Sequence, residues 1–160
     1  MPRKQPIEVF MPPNMLKAKV GGTMGGIDMS VIQRAEKAIE SLKTEFAVWI
    51  EADVARLVDA RNTFGGDSNG ETRGDLYRAS LDLKGQALTF EYPLVARVAV
   101  SLCKLLDETP EMPPAALIDA HVDAIRVIVR DKMKDTGDKV AQLLAAELEA
   151  RVLQFIRSGA

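Results

Sequence analysis

One cysteine and one histidine are all that this 160-residue chain holds of the two most versatile ligand side chains. With Cys103 alone, a disulfide framework and a thiolate metal cluster are both excluded within one chain. With His121 alone, no site that needs two imidazoles can form. No apolar run approaches the ~18 residues needed to span a bilayer, so no membrane-spanning helix is expected. Neither sign of charge dominates. The 21 basic and 23 acidic residues are mixed rather than blocked, and the formal charge is −2. The basic footprint of a nucleic-acid binder is therefore missing. Aromatics make up 5% of the residues and alternating strand patterns are scarce. The opening "MPRKQPIEVFMPPN" has basic residues but prolines where a signal peptide needs a continuous apolar core. The expected compartment is the cytoplasm.

What the chain does have is Ala, Leu, Val, Glu, Lys and Arg in abundance, the composition of an all-α domain. At this length it fits one domain with a real core. Residues 1–27 stand apart: Pro2, Pro6, Pro12 and Pro13 oppose a regular helix, and "GGTMGG" (Gly21 to Gly26) adds freedom. They read as a flexible, mostly irregular arm. Its glycines are not a phosphate loop, because no Gly-Lys-Ser/Thr follows and no strand precedes them. A second reading makes Ile7 to Leu16 a short docking peptide, since the segment is more apolar than a solvated tail requires.

Five helical segments follow. The first starts near Asp28 or Ser30, carries Ile32, Ala35, Ile39, Leu42, Phe46, Trp49 and Ile50 at helical spacing, and continues to about Thr63, as one long helix or two joined by a kink. "GGDSNG" (Gly65 to Gly70) breaks it. The second is expected from about Glu71 to Phe90, the third from Pro93 to Asp107, the fourth from Ala115 to Lys134 and the fifth from Lys139 to Arg157. Short loops between amphipathic helices imply antiparallel neighbours, hence a helical bundle.

The second helix poses the functional question. Wound at roughly 100° per residue, it gathers Leu76, Ala79, Leu83, Ala87 and Phe90 into a core stripe. Tyr77, Leu81, Lys84, Gly85 and Leu88 fall on the opposite side. A mid-helix glycine costs about 1 kcal/mol relative to alanine. Gly85 is explained if another molecule approaches the helix backbone closely. Around it Tyr77, Leu81 and Leu88 would form an exposed apolar patch with one cation, Lys84, and such patches tend to be contact sites. The competing reading covers this face from within, by the fifth helix or the arm. Gly85 would then mark a close helix crossing and Leu81 would be ordinary core.

These residues carry a family resemblance. "LDLKGQALTFEYPLVARVAVSLCKLL" (Leu81 to Leu106) resembles the signature of histidine-containing phosphotransfer (HPt) domains of bacterial phosphorelays, which has the form His-x-Leu-Lys-Gly. Leu83, Lys84 and Gly85 match its Leu-Lys-Gly part. "LKTEFAVWIEADVARLVDARNTF" (Leu42 to Phe64) is similar to the helix preceding that motif, and the resemblance covers roughly residues 40 to 134. It implies an antiparallel four-helix bundle of HPt type over 28–134, with an extra C-terminal helix in 135–160 that packs on the bundle or at a dimer interface. In the family an exposed histidine takes a phosphoryl group from an aspartyl-phosphate on a receiver domain. The lysine neutralises phosphoryl oxygens and the glycine gives the receiver room to dock. Here the histidine position is Leu81, and an alkyl side chain has no lone pair with which to attack phosphorus.

Substitutes are few. Ser80 and Asp82 point about 100° to either side of Leu81. His121 lies among Leu117, Val122, Ile125, Ile128 and Val129, on an apolar stripe where a lone histidine is ordinarily a hydrogen-bonded core residue. Cys103 sits at the margin of the third helix's stripe, where packing is the default role. The leading expectation is thus a degenerate HPt-like protein that binds a receiver (response regulator) or histidine kinase domain as an adaptor, sequestering or competing factor. It has no catalytic residue at the usual place, no metal and no cofactor. Two alternatives remain. One is residual phosphorelay chemistry, through His121 or through receiver dephosphorylation with Gln86 or Asp82 positioning water. The other is a self-assembling helical module that forms homodimers through the fifth helix or the second-helix face.

Overall fold

A computed structural model describes residues 28–109, 112–134 and 137–159. The expectations for the arm, residues 1–27, lie outside the described residues. The described residues are all-α, with five helices among them: α1 (Met29–Gly66), α2 (Gly70–Ala87), α3 (Pro93–Glu108), α4 (Ala115–Arg130) and α5 (Lys139–Ser158). The chain divides into two units between Ala38 and Ile39. Among the described residues, the first holds the opening turns of α1, and the second holds everything from Ile39 onward.

α1 is one helix of 38 residues with no break at its middle. Asp28 caps it, its Oδ1 accepting the Ser30 N–H at 3.0 Å, and these hydrogen bonds hold the Asp28 carboxyl below its usual range. Its buried residues are Ile50, Asp53, Val54, Leu57 and Phe64. α2 opens on a capping box: Asn69 Oδ1 accepts from the N–H groups of Glu71 and Thr72, and Thr72 Oγ1 accepts from the Asn69 N–H.

α3 lies at the centre of the bundle. Ten of its sixteen residues are buried, and Arg97, Val100, Lys104 and Asp107 line the one side left open. It packs against α2, α4 and α5, and α4 in turn packs against α5. Polar ties join the elements at several points. Arg97 of α3 grips Glu149 of α5 with two bonds of 2.6 and 2.7 Å. Arg61 of α1 pairs with Asp119 of α4. Arg73 of α2 donates from Nε to the carbonyl of Leu106 at 2.9 Å and from Nη2 to the Leu106 and Thr109 carbonyls, satisfying acceptors that the end of α3 leaves open. At the other end of α2, Phe90 lies against Phe46 and Trp49 of α1, with ring centroids 5.5 and 6.2 Å apart.

Two helices end earlier than their periodicity predicts. α2 stops at Ala87 rather than Phe90, and α4 at Arg130 rather than Lys134. Both ends are Schellman motifs. After α2, the N–H of Tyr92 bonds to the Ala87 carbonyl and that of Glu91 to Leu88, with Glu91 at φ 64°. After α4, Met133 bonds to Ile128 and Lys132 to Val129, with Lys132 at φ 52°. Left-handed residues that are not glycine leave no trace in composition; Phe90, whose N–H still bonds to the Gln86 carbonyl, is the cap residue of the first motif, and Met133 keeps the apolar rhythm going past the end of α4. The two turns meet in space: Lys134 Nζ lies 3.4 Å from Glu91 Oε2 and 5.1 Å from the centre of the Tyr92 ring.

Candidate docking site

α2 sorts its residues by burial. Thr72, Leu76, Ser80, Leu83 and Ala87 face inward. Ser80 belongs to this stripe because its hydroxyl donates to the Leu76 carbonyl at 2.8 Å, which satisfies it inside the core. On the outer face, Leu81 is 41% exposed and Leu88 65% exposed. Lys84 and Gly85 are exposed with them. A Cβ built on Gly85 would meet no atom within 4 Å among the described residues, so no crossing by α1, α3, α4 or α5 accounts for the glycine. Tyr77 departs from the expected grouping. It is half-buried and packs against the core cluster, so it flanks the outer face rather than belonging to it.

The fifth helix does not cover this face. Its buried residues, Ala141, Ala145, Leu148 and Val152, are directed to the bundle, where its packing partners are α3 and α4. Burial pushes the Cys103 thiol up from its ordinary range, and the nearby positive charge of Lys84 opposes that rise. Gln86 and Asp82 are both exposed. Asp75 and Arg78, one turn earlier, form a surface ion pair.

His121 is fully buried between α3 and α4. Its Nδ1 lies 2.7 Å from the Leu117 carbonyl, an acceptor only, so Nδ1 carries the proton. Nε2 therefore accepts from the Ser101 hydroxyl at 2.9 Å. Burial lowers the imidazole's pKa, the Leu117 carbonyl opposing this, and the ring is held neutral. Its one lone pair is occupied and shielded from solvent, which leaves it nothing to offer an incoming phosphoryl group.

One polar residue of note escaped the sequence reading. Asp53 is 4% exposed, pairs with Arg56 through Oδ1, and its Oδ2 has no hydrogen-bond partner among the described residues. It borders a cleft of about 120 Å³ with Arg56, Ala79 and Asp82. The signal was readable: an aspartate in the same apolar register as Ile50, Val54 and Leu57. Among the described residues no group of three or more His, Cys, Asp or Glu is placed to hold a metal ion, and no helix is long and apolar enough to cross a membrane.

Among the described residues, the fold is all-helical with five helices, and no element covers the apolar surface around Lys84 and Gly85. Comparison with protein-family models, with curated proteins and with solved structures finds no match to the chain.

Proposed function

We propose that the chain is a non-transferring, HPt-like docking protein of two-component signalling, which binds a receiver or histidine kinase domain through the outer face of α2. It acts there as an adaptor or competitor and not as a phosphoryl carrier. The observation that carries this reading is the open space around Gly85, flanked by exposed Leu81, Lys84 and Leu88. A glycine with no neighbour among the described residues gives up about 1 kcal/mol of helix stability, and the approach of a second molecule to the helix backbone accounts for that sacrifice. Lys84 supplies a cation at the rim of the patch, suited to the acidic pocket of a receiver. Leu81 replaces the nucleophile while keeping an apolar contact.

The alternative chemistry through His121 has no support in its surroundings, since both ring nitrogens are engaged inside the core. The test is titration of purified receiver and kinase domains against the wild-type chain and Gly85→Arg, with helicity followed in parallel. Saturable binding that Gly85→Arg abolishes while the fold persists is the expected result. Binding of equal strength in the variant, or none to any such domain, would refute the proposal.

A further inference from the structure

Among the described residues, Asp53 Oδ2 is a buried side-chain oxygen left without a hydrogen-bond partner. Buried acceptors are rarely left in that state, and this one calls for a donor. Its neighbours one turn away on α1, Ile50 and Leu57, are fully buried apolar side chains and offer none. Arg56 is engaged with Oδ1, and its own side chain is largely in solvent. The space beside Asp53 is the cleft of about 120 Å³ that it lines with Arg56 of α1 and with Ala79 and Asp82 of α2. A donor for Oδ2 has its way in there.

The lining defines the donor. Two carboxylates against one guanidinium leave a negative charge in excess, and the unsatisfied atom is an acceptor. The matching group is a cation that carries N–H donors. The volume equals that of about four waters at ~30 Å³ each, room for a head group of a few heavy atoms. Half-buried Ala79 adds an apolar wall along which a methylene stem can lie. A bare calcium or magnesium ion fits less well, because two carboxylates are few ligands for it and a guanidinium stands beside them. We propose that this cleft binds an alkylammonium or alkylguanidinium head group. Asp53 Oδ2 and Asp82 accept its N–H donors, and Arg56 holds the Asp53 carboxylate in place through Oδ1.

The two carboxylates contribute unequally. Oδ2 is shielded from solvent, so a charge-assisted bond to it is stronger than one made at the surface. Asp82 is exposed, and water and salt screen its attraction. The head group has two sources of the same chemistry: a lysine or arginine side chain of another protein, or a free amine. This inference does not depend on the proposed docking role of α2.

Titration of the isotope-labelled full chain with butylammonium and methylguanidinium chloride tests it, against sodium chloride at matched ionic strength. Saturable shifts of the Ala79 and Asp82 amides are expected with the organic cations and not with sodium. Asp53→Asn turns the buried acceptor into a donor and should weaken binding about tenfold or more, and Asp82→Asn only several-fold. Ala79→Leu fills the cleft without altering its charge and should abolish binding with helicity unchanged. Ala79→Leu and Asp82→Asn carry the test if Asp53→Asn loses helicity. A blocked peptide with one lysine among alanines separates the sources. Tighter binding than butylammonium assigns the site to a protein side chain, and equal or weaker binding assigns it to a free amine. Shifts that do not saturate, that sodium reproduces, or that persist in Ala79→Leu or in folded Asp53→Asn would each overturn the inference.

Discussion

Under the proposed docking function Leu81 stands where a phosphotransfer domain would carry its histidine, and the proposal can be probed by putting a histidine there. An imidazole there would stand on the open face of α2, one helical turn from Lys84. Transfer would form an N–P bond on the ring and break the acyl-phosphate bond, returning the receiver's aspartate as carboxylate. Leu81→His is therefore expected to take label from a phosphorylated receiver that binds the protein, and to lose most of it on Lys84→Ala. Absence of label with a bound receiver would show that docking does not place this face at the aspartate. The native histidine is a residue of another kind. Burial lowers its folded-state pKa below the ordinary value near 6.5. Above that pH both folded and unfolded chains hold His121 neutral, and its contribution is fully present. Below it the unfolded chain binds a proton that the folded chain refuses, so stability declines as pH falls from about 6.5 toward the folded pKa. Urea midpoints measured between pH 8 and 5 should drop across that window (roughly the range of histidine titration) less steeply in His121→Gln than in wild type. The buried environment of His121 was legible from the apolar residues at its helical neighbours. Its bond to Ser101 was not, because nothing local links positions on different helices.

Helix starts and helix ends differ in what the sequence discloses. Starts are written in side chains: Asn69 and Asp138 each accept from the N–H groups of their first turn, and Pro93 begins α3 with a fixed φ and no lost donor. The ends of α2 and α4 are written in backbone geometry, and the residues that take the left-handed conformation, Glu91 and Lys132, are poor indicators of it. That conformation costs an L-residue with a Cβ roughly 1–2 kcal/mol. Lys132→Gly is accordingly expected to stabilise the protein by about 1 kcal/mol, read as a higher urea midpoint at unchanged slope. Lys132 is exposed, so little packing is lost with its side chain. An unchanged or lower midpoint would mean that its aliphatic stem contributes as much as the strain costs. Glu91 is the less suitable site for the same change, because its carboxylate faces Lys134.

For the molecule as a whole, the exposure of the α2 face depends on where α5 goes, and this was the step that periodicity could not supply. The stripe of α5 was legible in Leu148 and Val152, yet a stripe does not say which helices it meets. Arg97 and Glu149, 52 positions apart, become informative only in space, where their paired bonds fix α5 against α3. The position of α5 also decides how much of the fold rests on it. Ala141, Ala145, Leu148 and Val152 are members of the same core cluster as Leu102, Leu105 and Ile125, so α5 closes the bundle rather than decorating it. Burying a leucine or valine contributes about 1.5–3 kcal/mol, and two of them alone approach half the total stability of a small domain. Deleting residues 137–160 should therefore do more than lower a melting temperature. It would bare the sides of α3 and α4 on which α5 packs, along with an unpaired Arg97. The expected product keeps much of its far-ultraviolet helicity but binds a hydrophobic dye and melts without a sharp transition. If the shortened chain instead unfolds cooperatively near the wild-type temperature, then α1 to α4 form a self-sufficient core and α5 is an attachment to it.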